Sequence, residues 1–469
     1  MKALFFLSAI AVAATPLEAA VDRTKKPEPG PAPAQAFPDF REKTLSNGLK
    51  VFVIEDTRKP TITLRLLIKS GSAFDGTKTG RASFVASLLN RGTKNRSAVE
   101  FANETDFIGA QLEAVASPDS IAVTTTGLTK YTGKILDLLT DAVTNPVFQA
   151  EEFAKQQRQT LSKLAQEKQE PDELAQKLTG KVLYGEHPYG AYRTRETVLA
   201  ITRDDLVAFH GAHFVPSNAT LAIVGDVKAD VILPLIEKAF GDWKGDAQAA
   251  PELPAIPPIK EINVHLVDRP GSVQSNIVVA LPGPPRNGPD LPELNVLNAT
   301  LGGGFSGRLF QNLREKHGWT YGSSSYFDFR KLAGTFEATA ETRNEVTAPA
   351  ISEILAEMKR IREESIPDAE LTLQRQYNVG NYLLSLENAG RTATRVQDID
   401  LYGLAPDFYK TYAKRMDTVT AEQAQKLAGK YLNVENVAVI VVGEAKDVKA
   451  SLEKIGKVFV YDTDLKAVQ

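Results

Sequence analysis

Short runs in which apolar and polar residues alternate give way along the chain to runs of helical spacing. Leu49–Ile54 and Ile62–Lys69 read as strands, with a turn around Asp56–Pro60 between them. A helical pattern covers residues 80–91, and Ser97–Ile108 forms a second one that Gly109 stops. Strands near 111–116 and 120–127 follow, then helical stretches at about 131–143 and 151–180. Thr220–Val224 is a continuous apolar run of the buried-strand kind that ends at Gly225-Asp226, and Ala229–Phe240 closes the unit as a helix.

Prolines cluster at Ala249–Pro258, and beyond them the pattern starts again. Ile262–Val267 leads into Asp268 much as Val51–Ile54 leads to Asp56. Val439–Val442 with Gly443-Glu444 echoes Leu221–Val224 with Gly225-Asp226. Asp56 and Asp268 are 212 residues apart, and Gly225 and Gly443 are 218 apart. Offsets this similar mark a duplicated unit of roughly 210 residues. Each copy mixes strands with helix pairs. The expected fold is therefore α+β: two homologous sandwich domains, each a mostly antiparallel sheet with helices packed on one face. They should occupy residues 40–247 and 261–465, with a linker at 248–260.

The second copy carries the stretch with the most specific chemistry, residues 301–326. Three glycines, Gly302 to Gly304, open it. A helix of about three turns should follow, with Leu309, Phe310 and Leu313 on one face. Lys316 and His317 suit its last turn, and Gly318 can take the left-handed cap. A β-prone run then starts at Tyr321, so the side chains of Arg314 and Tyr321 could converge on one point. Gly302-x-Gly304-x-x-Gly307 also matches a dinucleotide fingerprint, but that fingerprint needs a strand before it. Leu294, Leu297 and Leu301 are spaced as on a helix, and no Gly-Lys-Ser/Thr is present for a phosphate loop.

Composition changes this picture in three places. At 469 residues the chain has room for two domains, and its net charge of −3 argues against broad electrostatic binding to nucleic acid. Lys2 precedes an apolar run, Ala3–Ala14, with small residues at Ala19 and Ala20, the pattern of a secretory signal over residues 1–20 and too short to span a membrane. Residues 21–39 read as a proline-rich linker. With no cysteine there is no disulfide, metal-thiolate or cysteine nucleophile. A bacterial periplasmic location is the expectation.

The two halves, their Gly-Asp strand ends, His187-Pro188-Tyr189-Gly190 and the run Leu313-Arg314-Glu315…Gly318…Tyr321 together resemble the pitrilysin/insulinase family of zinc peptidases. The branch it most resembles has half-length subunits that pair into a clam-shell, as in bacterial members and the mitochondrial processing peptidase. In that family a first-domain helix reads His-x-x-Glu-His, with a later glutamate as third zinc ligand. The histidines hold zinc and the glutamate between them activates water. Gly80-Arg81-Ala82 and Arg91-Gly92-Thr93 align this chain to that helix. The histidine positions are then Ser83 and Ser87, the base position is Ala86, and the distal glutamate position is Lys163. An acidic position further up the later helix is Gln156. Serine hydroxyls are poor zinc ligands, alanine takes no proton and a lysine ammonium repels a metal. The resemblance thus implies a chain with no zinc site of its own. The five histidines offer no substitute: His210 and His213 sit three apart without an acidic partner at motif spacing, and His187, His265 and His317 are isolated.

In family members with a bipartite site, an Arg…Tyr pair seven residues apart binds substrate near the scissile bond, and Arg314 and Tyr321 have that spacing. Guanidinium and phenol both donate hydrogen bonds, which a peptide carbonyl becoming an oxyanion accepts. The plain alternative is that Arg314 pairs with a surface carboxylate and Tyr321 is core. The resemblance implies a non-zinc subunit that pairs with a zinc-bearing homologous peptidase subunit, Arg314 and Tyr321 completing a composite metallopeptidase site. Substrates would be peptides or unfolded segments bound as an added strand on a sheet edge. A catalytically silent scaffold that keeps the fold is the alternative. An independent peptidase would need a metal site that the sequence does not offer.

Overall fold

The computed structural model describes residues 37–248 and 252–468. The expected signal segment and most of the first linker lie outside the described residues, as do residues 249–251 of the proline-rich segment. Among the described residues twelve strands form two sheets of six. The first sheet holds β1 (Arg41–Thr44), β2 (Lys50–Glu55), β3 (Thr61–Ile68), β4 (Gln111–Ala116), β5 (Ile121–Leu128) and β6 (Ala219–Gly225), in the order β1-β2-β6-β3-β5-β4. The second holds β7 (Asn263–Asp268), β8 (Gln274–Gly283), β9 (Ser323–Asp328), β10 (Gly334–Arg343), β11 (Ala438–Gly443) and β12 (Lys457–Tyr461), in the order β12-β7-β11-β8-β10-β9.

Apart from their first edge strands the two sheets share one topology. β2 pairs parallel with β6 as β7 does with β11, and the strands from there to the far edge pair antiparallel. The resulting class is the α+β sandwich that the repeat predicts. One detail differs: β2 and β3 are not hairpin partners across Asp56–Pro60, because β6 lies between them. Every residue of β6 is buried, and so continuous an apolar run belongs at the centre of a sheet covered on both faces. The helical stretch expected at 151–180 is two helices, Ala150–Glu167 and Pro171–Tyr184. Pro171 has no N–H and its ring would clash inside a helix, so it starts the second one.

Each sheet carries its own helices on one face. Leu221 and Ile223 of β6 pack with Phe84, Ile135 and Ile232 of first-half helices. Val439 and Val441 of β11 pack with Leu294, Ile351 and Ala428 of second-half helices. The opposite faces carry more than a one-sided arrangement allows. Helix Pro171–Tyr184 crosses to the second sheet, where Leu174, Ala175 and Leu178 pack with Val278, Ala280 and Ile440. Helix Ala389–Tyr402 makes the reciprocal crossing onto the first sheet. There the Gln397 amide nitrogen donates to the carbonyls of Arg65 (2.9 Å) and Thr220 (3.0 Å), and its oxygen accepts from the Arg65 guanidinium. Lys50 and Lys69 both pair with Asp400 on this helix, at 2.6 and 2.5 Å. Among the described residues no helix is long and apolar enough to cross a membrane.

Candidate functional site

The helix at the zinc-motif position is Arg81–Leu88, and Asp75 fixes its start. One carboxylate oxygen accepts from the Gly80 N–H at 2.6 Å and the other from the Ala82 N–H at 2.8 Å. Burial pushes this carboxyl up to about 6, against the pull of those N–H bonds and of Arg81 and Arg193. On the helix, the Ser87 hydroxyl donates to the Ser83 carbonyl at 2.8 Å. The Ala86 side chain is buried in the first-half core. On the neighbouring helix Lys163 turns its ammonium toward Glu167 at 3.9 Å, and Gln156 faces Thr160 at 3.4 Å. Two serine hydroxyls, one of them already turned onto its own backbone, a methyl group and an ammonium do not fit a zinc ion.

The histidines serve packing. His210 Nε2 lies 2.8 Å from the Val143 carbonyl, and burial pushes its ring down to about 4. His213 packs between Phe74 and Phe209, and His187 Nδ1 accepts from the Tyr189 N–H at 3.1 Å. His265 contacts the Tyr461 hydroxyl at 3.0 Å, and His317 stacks on Trp319.

In the second half the glycine-rich turn follows helix Leu291–Leu301, not a strand, which removes the dinucleotide reading. Gly302 lies directly against β9: its carbonyl accepts from the Ser325 N–H at 2.8 Å, and a Cβ there would sit 2.7 Å from that nitrogen. A Cβ on Gly307 would meet the Gly302 Cα at 2.9 Å. The Asn298 amide donates to the Ser325 carbonyl at 2.9 Å. Both outward backbone groups of Ser325 are thus occupied, so β9 is closed at its middle to an added strand. The glycines are there for close packing.

The helix after this turn is Arg308–Phe310, and residues Gln311–Lys316 continue it as a π-helix, a wider winding often found at functional positions. Leu309 and Leu313 are buried, Gly318 is left-handed with φ of 62°, and Arg308 holds the segment by a two-pronged pair with Glu370 at 2.8 and 2.9 Å. Arg314 sits in the π segment. Its guanidinium donates to the backbone carbonyl of Tyr321 at 2.6 Å, lies 5.0 Å from the Phe310 ring centre and comes within 3.6 Å of Glu315. The strand begins at Ser323, so Tyr321 precedes it instead of opening it. Tyr321 is not core: its side chain is 87% exposed. Arg314 therefore meets Tyr321 through the main chain and leaves the phenol pointing into solvent.

Beside Gly322, two contiguous cavities of about 410 and 250 Å³ share Gln176, Tyr326 and Glu337 and form one groove. Its walls are the Pro171–Tyr184 helix of the first half and the face of β8, β10 and β9. Tyr326 stands opposite Glu337 in the β9–β10 register and donates to its carboxylate at 2.6 Å, while the Thr335 hydroxyl donates to the other oxygen at 2.9 Å. At the far end Arg330 pairs with Asp328 at 2.8 Å, donates to the Tyr189 carbonyl and lies over the rings of Tyr184 and Tyr189. The sequence reading did not find this groove. The alternation Glu337, Thr339, Glu341 marks one face of a strand, but nothing local brings a first-half helix over it.

Two family profiles match the chain: the insulinase (peptidase family M16) profile over residues 50–195 and the peptidase M16 inactive domain over residues 200–377. An uncharacterized zinc protease of Mycobacterium leprae is 27% identical over 399 residues, 83% of this chain and 88% of that protein. A Bacillus subtilis protein of the same description is 25% identical over 76% of this chain and 87% of its own length. The crystal structure of a peptidase M16 inactive domain from Pseudomonas fluorescens superposes with a TM-score of 0.81 at 26% identity, covering 86% of this chain and 98% of that one. A Helicobacter pylori protease shares the fold, with a TM-score of 0.82 at 21% identity over 86% of this chain and 99% of that chain. Duplicated sheets and these matches along both halves lead to one conclusion: the chain belongs to the insulinase (M16) family of peptidases.

Proposed function

We propose that this chain is the non-zinc subunit of a two-subunit metallopeptidase. A zinc-bearing partner of the same fold supplies the metal and the general base, and this chain supplies Arg314 and Tyr321. The observation that carries the reading is the placement of Tyr321. A large aromatic side chain is left in solvent, its hydroxyl making no hydrogen bond among the described residues, while a charged side chain is spent on fixing its backbone. Ordinary packing does not call for that arrangement, and a phenol held ready to donate to a carbonyl does. The replaced ligand positions support the same division of labour, since Ser83, Ala86, Ser87 and Lys163 leave the metal and the base to another chain. The purified chain should hold no stoichiometric zinc. Metal analysis showing one tightly bound ion per chain would overturn that part of the reading. The working location is the periplasm, and the substrate is a peptide or an unfolded segment.

Tyr321→Phe tests the role directly. It deletes one hydroxyl from an exposed ring, so assembly with the zinc subunit should be untouched. The loss of a transition-state donor should lower kcat by roughly 10-fold or more, with KM little changed. Arg314→Ala should lower it further, because the Tyr321 backbone then loses its tether. A silent scaffold predicts equal kcat for the assembled wild-type and Tyr321→Phe complexes, and that result would remove the proposed role.

A further inference from the structure

Helix Asp368–Ser385 has two apolar faces. Leu371, Val379, Tyr382 and Leu383 are buried in the second-half core, while Leu373, Tyr377, Gly380 and Leu384 run along the outward side. Leu384 is 72% exposed, and Leu373 and Tyr377 are exposed along the same line. Steps of four, three and four residues are the spacing of a coiled-coil seam, here about 17 Å long at the helical rise. The glycine-rich turn widens the patch. Phe305 is 78% exposed, and a Cβ on its neighbour Gly304 would lie 3.6 Å from the Tyr377 hydroxyl.

Gly380 is the unexplained member of the stripe. Glycine inside a helix costs stability relative to alanine, and a Cβ there would meet nothing within 4 Å, so its own chain does not need the space. A second helix lying on this face would need it. The stripe also matches itself when a copy is laid antiparallel across it, about a two-fold axis between Asn378 and Val379. Leu373 then faces Leu384 of the other copy, and the Tyr377 ring faces the notch at Gly380. On the flanks Gln376 faces Asn381. Both are exposed and neither side chain makes a hydrogen bond among the described residues, so the two amides can pair across the seam. Glu370 comes opposite Glu387, but each carboxylate already has an arginine, Arg308 for the first and Arg58 for the second. No bare like charges meet.

We infer that this face is a self-association seam: two copies of the chain pair through antiparallel Asp368–Ser385 helices, each Tyr377 filling the notch at the other copy's Gly380. The inference goes beyond the proposed function and does not depend on a zinc subunit. A seam of one helix is smaller than a standard protein interface, so the dimer is weak and reversible, with a Kd on the order of 10–100 µM.

Sedimentation velocity of the full chain alone, from a few to several hundred micromolar, reads the equilibrium. Leu384→Glu changes an exposed residue, so the fold should stand while dimerisation weakens roughly ten-fold or more. Gly380→Leu is the sharper variant. Its side chain enters open space in the single chain but collides with Tyr377 of the other copy, so the dimer should be lost with thermal stability unchanged or raised. A merely sticky patch would associate as well or better with a leucine added. The register is tested by cross-linking, because the chain has no cysteine of its own. Leu373→Cys mixed with Leu384→Cys should give a disulfide-linked dimer under copper-catalysed air oxidation, and neither variant should link to itself. A chain that stays monomeric throughout, or a dimer indifferent to both Leu384→Glu and Gly380→Leu, would overturn the inference. So would either cysteine variant linking to itself, which is the mark of a parallel pair. If the chain alone is monomeric and Leu384→Glu instead loses a zinc subunit, the stripe belongs to that contact and self-association is rejected. Retained dimerisation with no kcat effect of Tyr321→Phe keeps the seam and rejects the composite site.

Discussion

The Asp75 carboxylate is buried where it can meet two backbone N–H groups at the start of helix Arg81–Leu88, and its environment makes a prediction about pH. Burial raises its carboxyl to about 6, so the folded chain binds this proton more tightly than the unfolded chain. Stability from this group is therefore full below about pH 4 and is lost as pH rises through about 6, on the order of 3 kcal/mol in all. Asp75→Asn should flatten that slope while lowering the plateau, since an amide oxygen accepts at only one of the two sites. Urea unfolding of both proteins at a series of pH values between about 4 and 7 checks it, and parallel curves would contradict it. Residue by residue, the sequence placed Arg314 and Tyr321 together because a spacing of seven bridges a helix end and the segment after its cap. It did not show that the guanidinium would take the main-chain carbonyl and leave the phenol exposed. That choice depends on the π winding of Gln311–Lys316, a backbone state with no side-chain signature.

Helix Ala389–Tyr402 shows how elements of the two halves depend on each other. Gln397 is fully buried and satisfies Arg65, the Arg65 carbonyl and Thr220 at once. Gln397→Ala would remove the acceptor of the Arg65 guanidinium and the side-chain donor to two carbonyls at the seam between first sheet and second-half helix. A loss of roughly 2–4 kcal/mol is expected, read as a fall in the urea midpoint at unchanged slope. A change under about 0.5 kcal/mol would mean that the seam is wetter than its geometry implies. The sequence reading assigned no element to this stretch. Its second apolar-polar face is legible once the sheet it covers is known.

For the molecule as a whole, the reciprocal crossing of helices Pro171–Tyr184 and Ala389–Tyr402 means that neither duplicated half is complete alone. A first half produced on its own would expose Leu174 and Leu178 and strip the cover from β6, while the second half would lose the cover of Val278 and Ile440. Each half should be aggregated or molten when expressed separately, and the two should form a soluble complex when expressed together. Size-exclusion chromatography with near-UV circular dichroism distinguishes these outcomes, and a well-folded isolated half would show the exchange to be dispensable. The same exchange builds the groove, because its wall at Asp172, Glu173 and Thr179 belongs to the helix that crossed over.

What the sequence determined by itself is what local physics can encode. Strand and helix periods, the near-equal offsets of the duplication, the punctuation by Gly109 and Gly318, and the chemistry of Ser83, Ala86, Ser87 and Lys163 are properties of neighbouring residues or of residue type. They are enough for the α+β class and the two sheets. The tertiary structure decided what depends on partners distant along the chain. It set β6 between β2 and β3, gave each sheet a helix from the other half and closed the β9 edge with Gly302 and Asn298. It also set Glu337 against the hydroxyls of Tyr326 and Thr335. Those outcomes follow from which surfaces bury one another, and a strand's pattern records only that a face is covered, not what covers it.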